Sequence, residues 1–185
     1  MIPMPTTAES TAPVQFEGPT PTAHRLPENP LIVPAHVPPT RPDMEVVCAF
    51  NPAAIRHGDE IILLLRVAER PRPGADPAPG SCMLDLTGPE PVLLPCGDNI
   101  GGESVVGVPL YDPNGTPPGI VSCYIHRDLP GIDLHDPRAI SYLNRPFLSQ
   151  ISHLRVARSH DGVHFAIDSE PALAPAGLLE EYGCE

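Results

Sequence analysis

Proline is the residue that most constrains how this chain can fold. It occupies 28 of 185 positions, about three times its ordinary share of a soluble protein. Proline lacks a backbone N–H donor and its ring clashes with the preceding helical turn, so long helices are disfavoured. Short strands joined by many loops accommodate it better. Because tryptophan is absent and aromatic residues make up only 4% of the chain, the core must be built mainly from Val, Ile and Leu.

The charge of the chain argues against two classes of partner. The formal net charge is −12, and all eleven cationic side chains are arginines. An acidic surface repels nucleic acids and anionic membranes, so neither is expected as a partner.

Cysteine usage and the N-terminus bear on location. The five cysteines are odd in number and include no Cys-x-x-Cys pair, which argues against a disulfide framework and a structural zinc site. Reduced thiols of this kind are typical of the cytoplasm. The N-terminus lacks the basic start and apolar run of a signal peptide, and the longest apolar run, residues 61–65, is too short to cross a bilayer. We therefore predict a cytoplasmic protein.

Residues 1–25 differ in composition from the rest. They are rich in Pro, Thr, Ala and Ser without periodicity, which predicts a flexible tail. Ordered structure is expected to begin near His24, so residues 26–185 form the folded part.

Short apolar runs separated by turn signals predict strands throughout the folded part. Residues 44–50 and 61–67 flank Gly58-Asp59 and indicate two buried antiparallel strands. A buried helix is the alternative for residues 61–67, although the run is shorter than the ~10–12 residues that a helix usually needs. Residues 81–86 are predicted to form a third strand, and residues 88–103 are expected to be irregular.

Two further hairpins are indicated by turn dipeptides. Asn114-Gly115 separates strands at residues 105–111 and 120–126, and Asp161-Gly162 separates strands at about residues 150–158 and 163–168. In residues 150–158, side chains alternate between two faces. One face carries Ile151, His153, Arg155 and Ala157. Neither face is purely apolar, so its polar groups are expected to reach a rim or a ligand.

These elements amount to seven or eight short strands and no long helix. A short helical turn is expected only near residues 177–181. The pattern predicts an all-β protein, and it leaves a sandwich, a barrel and a propeller open.

Six strings in a fixed order carry a resemblance to a known family. They are PENPLIVP, HVPPTRPD, FNPAAI, LLLRVAER, ISHLRVARSHDGVHF and EEYGCE. This order is similar to glycoside hydrolase family 130, whose members are phosphorylases and some hydrolases of β-mannosides. The resemblance covers about residues 24–185. It implies a five-bladed β-propeller, of which residues 26–185 would be the N-terminal part, about two to three blades, with the domain truncated at its C-terminus.

The resemblance also implies substrate-binding residues. Asn51 of the FNP string and Arg66 of the LLLRV string match positions that contact the mannosyl unit. A turn role before Pro52 is the alternative for Asn51, and an ion pair with Glu69 or Asp59 is the alternative for Arg66. Ser152, His153 and Arg158 are further candidates. For His153 the alternative is a polar strand residue satisfied at a sheet end. Asp161 is expected to be a turn residue, and Asp136 is assigned no catalysis.

The implied reaction is inverting phosphorolysis of a β-mannoside to α-mannose 1-phosphate. Its partners are a β-mannoside oligosaccharide and inorganic phosphate as co-substrate, with no metal or organic cofactor. In the family's pattern the general acid follows the position of Glu185, so no residue here is assigned as catalytic, and the chain alone is expected to be inactive. Self-association of the full-length protein is left open.

Three other readings remain. A hydrolase of the same family would use water in place of phosphate. A non-catalytic carbohydrate-binding β-module would fold on its own. A metal-binding protein would use His153, His160 and His164, but the last two lie across a turn and not on one helical face.

Overall fold

The computed structural model describes residues 22–74, 77–96, 102–115, 118–177 and 183. This part of the chain is all-β, as predicted, with two short 3-10 turns at Pro34–His36 and Gly102–Ser104. Its strands in chain order are β1 Met44–His57, β2 Glu60–Pro71, β3 Cys82–Asp85, β4 Val92–Pro95, β5 Val105–Asp112, β6 Gly119–His126, β7 Ile132–Asp133, β8 Ala139–Tyr142, β9 Arg145–Leu148, β10 Ile151–Ser159 and β11 Ala166–Ile167. The described residues include no helix long and apolar enough to span a membrane.

Most of the predicted flexible tail and the predicted helical turn cannot be compared with the fold. Residues 1–21 and 178–182 lie outside the described residues. Residues 22–25, the end of the predicted tail, are exposed and form no strand or helix.

The first sheet has the strand order β1-β2-β10-β11, and all its ladders are antiparallel. β1 and β2 form the predicted hairpin around Gly58, whose φ of +63° suits a residue without a Cβ. The helical alternative for residues 61–67 is wrong, because these residues pair with β1 on one side and β10 on the other. The expectation that both strands are buried holds only in part, because Cys48 and Leu64 are exposed. β1 also continues beyond the predicted residues 44–50, and this outer half is exposed.

The second sheet has the strand order β4-β3-β6-β5, with β3 parallel to β6. β5 and β6 form the predicted hairpin. At its turn, the Asp112 carboxylate accepts a hydrogen bond from the Asn114 backbone N–H at 2.9 Å, which favours a tight reversal. β4 lies within a segment that the sequence predicted to be irregular, so that prediction is wrong for these four residues.

The third sheet, β7-β8-β9, was missed by sequence reasoning. Its strands are only two to four residues long, too short for alternation to be read. Leu143 and Asn144 connect β8 to β9 with φ values of +49° and +69°. Two successive positive φ values are typical of a type I′ hairpin turn, which Asn favours and Leu does not.

Two hydrophobic clusters hold the sheets together. One lies between the second and third sheets and includes Val108, Cys123, Ile125 and Phe147. The other lies under one face of the first sheet, around Leu65, Val67 and Ala157. Their Val, Ile and Leu content agrees with a core that cannot rely on aromatic residues.

A buried carboxylate joins the first and second sheets. Asp43 is 2% exposed, and its Oδ1 accepts a hydrogen bond from Arg41 Nε at 2.9 Å. Its Oδ2 accepts hydrogen bonds from Ser122 Oγ of β6 at 2.6 Å and from Ser81 Oγ at 3.3 Å. Burial opposes ionisation, but the hydrogen bonds from Arg41 and Ser122 outweigh it, so the pKa of Asp43 lies below its ordinary value. The string TRPD therefore has a structural role that its sequence did not reveal.

Candidate functional site

Arg66 is the centre of the candidate site. It lies on β2, with Phe50 of β1 as its Cα partner and Leu154 of β10 on the other side. Its Nε donates a hydrogen bond to Ser152 Oγ at 3.2 Å. Its guanidinium carbon lies 5.0 Å from the centre of the Phe50 ring, within the range of a cation–π contact. These contacts fix the guanidinium of Arg66 over one face of the first sheet.

Asn51 follows Phe50, the ladder partner of this arginine, at a bulge in β1. The pairing register shifts between Phe50 and Ala53, and Asn51 has a φ of +46°. Asn is one of the few residues with a Cβ that tolerates this left-handed conformation. A bulge changes the direction of the side chains next to it, and Asn51 is exposed. Its amide is therefore available to a ligand next to Phe50.

Gly183 approaches Ser152 so closely that no side chain fits. The two residues form a parallel β-bridge. A Cβ built on Gly183 would lie 2.3 Å from Ser152 O and 2.4 Å from Ser152 N, and φ at Gly183 is +98°. Only glycine meets both demands. We call Phe50, Asn51, Arg66, Ser152 and Gly183 the Arg66 cluster.

His153 is on the opposite face of β10 and is 3% exposed. Its Nε2 accepts a hydrogen bond from Arg155 Nε at 2.9 Å, which requires the neutral imidazole. Burial, and then the charge of Arg155, lower the pKa of His153 to about 4. The expectation that polar groups of this strand reach a rim or a ligand is wrong for His153 and Arg155, which are both buried inside the protein. Arg155 Nη2 forms no hydrogen bond there among the described residues.

Arg155 forms a buried network that sequence reasoning missed. Arg155 is fully buried, and its Nη2 lies 3.6 Å from Glu69 Oε1. Glu69 also accepts hydrogen bonds from the backbone N–H and the hydroxyl of Thr40, and Arg155 Nη1 donates to Ser169 O at 2.9 Å. Burial, only partly offset by Thr40 and Arg155, raises the pKa of Glu69. The alternating pattern gives only a partial signal of this network. It groups Arg155 with Ile151 and Ala157, which are buried, but it does not show that this face meets the core.

The positions of Glu69 and Asp59 can be compared with the alternative in which Arg66 forms an ion pair with one of them. Glu69 pairs with Ile151 in the ladder, while Arg66 pairs with Leu154, so the two side chains lie on opposite faces. Asp59 lies instead near His160, at 3.6 Å from its Nδ1.

Arg158 is not brought to the Arg66 cluster. It lies six residues beyond Ser152, about 20 Å along the strand. It is exposed, and its Nη1 bonds the Asp168 carboxylate at 2.7 and 3.0 Å. Asp161 accepts the backbone N–H groups of Val163 and His164, both at 2.8 Å, as a turn residue does.

The Arg66 cluster suits a neutral hydroxylated ligand. The Asn51 amide offers donors and an acceptor, Arg66 offers a fixed fork of donors, and Phe50 offers an apolar surface. For metal ions, no group of three or more His, Cys, Asp or Glu side chains that could hold one occurs among the described residues.

Comparison with known proteins gives one curated relative and one solved structure. A β-1,2-mannobiose phosphorylase of Listeria innocua serovar 6a is 31% identical over 166 residues, which cover 88% of this chain and 39% of the relative. The solved structure of the Listeria innocua β-1,2-mannobiose phosphorylase, in complex with β-1,2-mannobiose, matches with a TM-score of 0.61 and 29% identity.

The resemblance to glycoside hydrolase family 130 is confirmed. The structural match covers 85% of this chain and 38% of the solved chain. The sequence therefore spans about two fifths of the family 130 relatives that it matches. No protein-family model matches it.

Proposed function

We propose that the chain carries part of a family 130 glycoside phosphorylase that acts on β-mannosides. The observation that carries the proposal is the Arg66 cluster, in which Ser152 and the Phe50 ring hold the Arg66 guanidinium on one face of the first sheet and the exposed Asn51 follows Phe50 at a bulge. The similarity to a β-1,2-mannobiose phosphorylase over 88% of the chain supports it. The proposal includes a five-bladed propeller of which the described sheets form a part.

In the proposed reaction, inorganic phosphate attacks the anomeric carbon of a terminal β-mannoside. A bond forms between a phosphate oxygen and this carbon, and the bond to the leaving sugar oxygen breaks. A general acid protonates that oxygen, and inversion gives α-mannose 1-phosphate. No described residue is assigned as the acid. The proposed reaction is a glycosyl transfer to phosphate in the cytoplasm that needs no cofactor.

In this proposal Asn51 and Arg66 bind the mannosyl ring. Arg66 is held by Ser152 and Phe50 before substrate arrives, so little side-chain entropy is lost on binding. Asn51 reaches the same ligand from the bulge. Holding the ring in line with phosphate lowers the barrier by orientation alone.

The experiment uses the polypeptide encoded by the whole reading frame, incubated with β-1,2-mannobiose in the presence and absence of phosphate. We expect phosphate-dependent formation of α-mannose 1-phosphate, followed by phosphorus NMR. Release of mannose at the same rate without phosphate would identify a hydrolase. Binding of mannobiose without turnover would identify a carbohydrate-binding module.

Two variants test the residues. Arg66→Ala and Asn51→Ala should each lower kcat/KM for phosphorolysis at least tenfold, about 1.4 kcal/mol of transition-state stabilisation. Arg138→Ala is the matched control, since this arginine forms an exposed pair with Asp136. Wild-type rates in both test variants would refute the assignment.

A further inference from the structure

A cavity of about 720 Å³ opens where the first and second sheets meet. It is formed by the end of β2, the start of β5, the end of β6 and the segment before β8. Three arginines line it: Arg70, Arg72 and Arg127. These are three of only eleven cationic side chains in a chain of net charge −12, so the cavity is a local exception to the acidic surface.

Two of the three arginines have no carboxylate partner among the described residues. Arg70 is neutralised by Glu45, whose Oε1 lies 2.6 Å from Arg70 Nε. Arg72 Nη2 donates to Met44 O at 3.4 Å, and Arg127 Nε donates to Val105 O at 3.0 Å. Both of these bonds are to neutral carbonyl groups. The positive charges of Arg72 and Arg127 therefore stay available to an anion.

The carboxylates at the cavity do not cancel this charge. Asp136 lines the cavity but is paired with Arg138, whose Nη2 lies 3.0 Å from Asp136 Oδ2. Glu103 lines the cavity as well and has no ion pair within the described ranges. Counting Arg72 and Arg127 against Glu103 leaves a net positive charge, with one carboxylate acceptor for ligand hydroxyls.

The cavity wall between the two sheets is closely packed. A Cβ on Gly107 of β5 would lie 2.5 Å from Pro71 Cβ, so β5 packs directly against the end of β2. Pro71 is flanked by Arg70 and Arg72. The backbone that carries these arginines is thus held against the second sheet, and a preorganised wall reduces the entropy lost when a ligand binds.

We infer that this cavity binds a small phosphate monoester whose phosphate lies between Arg72 and Arg127. Arginine binds phosphate through paired N–H donors. Glu103 accepts hydrogen bonds from hydroxyl groups on the rest of the ligand. The volume lies within the ~300–1,000 Å³ usual for small-molecule sites.

This site is separate from the Arg66 cluster. Arg70 is four residues beyond Arg66 on β2, about 13 Å along the strand. The inference therefore does not depend on the proposed phosphorylase function.

The test is a calorimetric titration of the protein with glucose 6-phosphate, glucose and inorganic phosphate. We expect glucose 6-phosphate to bind, glucose not to bind, and phosphate to bind several-fold more weakly than the ester. Equal affinities for phosphate and glucose 6-phosphate would overturn the monoester assignment and identify a site for inorganic phosphate. If none of the three probes binds at concentrations up to about 10 mM, roughly the weakest affinity that still indicates a site, the inference is overturned.

Variants locate the site. Arg72→Gln and Arg127→Gln should each weaken glucose 6-phosphate binding about tenfold. Glu103→Gln should weaken the binding of glucose 6-phosphate but not the binding of inorganic phosphate. Arg56→Gln is the control, because this exposed arginine of β1 donates only to Gly58 O among the described residues. Thermal unfolding checks that each variant is folded. Unchanged affinity in the folded double variant R72Q/R127Q, or loss of binding in R66Q alone, would refute the site.

Discussion

At the scale of single residues, the buried pair His153 and Arg155 is where we expect the first sheet to respond to acid. The Nε2 of His153 must stay unprotonated to accept the Arg155 hydrogen bond at 2.9 Å. The pair is buried, since His153 is 3% exposed and Arg155 is fully buried. Protonation of His153 would place two cations side by side in the core.

His153 should therefore make unfolding steeply pH-dependent. Its pKa is about 4 in the folded state against an ordinary value of 6.5. Between these values the unfolded chain binds a proton that the folded protein does not, so stability is full above pH 6.5 and falls as the pH drops towards 4. The loss is on the order of 3 kcal/mol.

The measurement is urea unfolding between pH 4 and pH 7. His153→Gln keeps an acceptor for Arg155 but cannot titrate, so the difference between wild type and variant isolates this histidine. His160→Gln, which removes an exposed imidazole, is the control. An unchanged slope in His153→Gln would contradict the neutral buried histidine.

Gly183 is the second residue whose environment is decisive. Gly183→Ala would bring a methyl group against the Ser152 backbone at a positive φ, so the bridge between them should open at a cost of about 1–3 kcal/mol. Gly177→Ala is the matched control, because nothing lies within 4 Å of a Cβ there. Urea unfolding at neutral pH measures both, and equal stability of the two variants would show that Gly183 does not pack on Ser152.

At the scale of elements, the strands of the large hairpins were predictable and those of the third sheet were not. Gly58 and Asn114 each mark a reversal between strands of eight or more residues, and Gly162 marks the reversal between β10 and the two-residue β11. β11 is shorter than the predicted residues 163–168, because the backbone N–H groups of Val163 and His164 bond Asp161 instead of a strand. Strands of two to four residues carry too little alternation to be recognised.

For β10, which carries candidate-site residues, the sequence predicted which side chains share a face but not which face is buried. Alternation along β10 correctly grouped Ile151, His153, Arg155 and Ala157 on one face, and all four are buried. It could not show which face meets the core, because both faces carry polar residues. That choice depends on the pairing of β10 with β2, a contact between distant parts of the chain.

The joint between the first two sheets gives an element-scale prediction. Asp43→Asn removes the charge that pairs with Arg41 and leaves an amide among the hydroxyl donors Ser81 and Ser122. We expect a loss of about 2–4 kcal/mol of unfolding free energy. Asp136→Asn, which breaks an exposed pair with Arg138, should cost much less, because solvent screens an exposed ion pair. Chemical unfolding measures the stability of both variants. If Asp43→Asn loses no more unfolding free energy than Asp136→Asn, the claim that Asp43 joins the first and second sheets is refuted.

At the scale of the whole molecule, apolar strand surface and acidic charge oppose each other. β1 is the edge of the first sheet, and on its hairpin Ile55 is 64% and Leu64 is 37% exposed. At the edge of the second sheet, Val92 on β4 is 50% exposed. Exposed apolar edge strands favour association with other chains, while a net charge of −12 keeps the copies apart.

This balance predicts self-association that increases with salt. Raising the ionic strength from about 0.01 M to 1 M shortens the screening length from roughly 30 Å to 3 Å, so the repulsion fades while the apolar contacts persist. Ile55→Glu should reduce this association at high salt, as measured by analytical ultracentrifugation. Leu143→Glu is the control, because Leu143 is 69% exposed but lies in the turn between β8 and β9. If both variants associate like the wild type, the β1 edge is not the contact. If association instead decreases with salt, charge attraction and not apolar edge surface drives it.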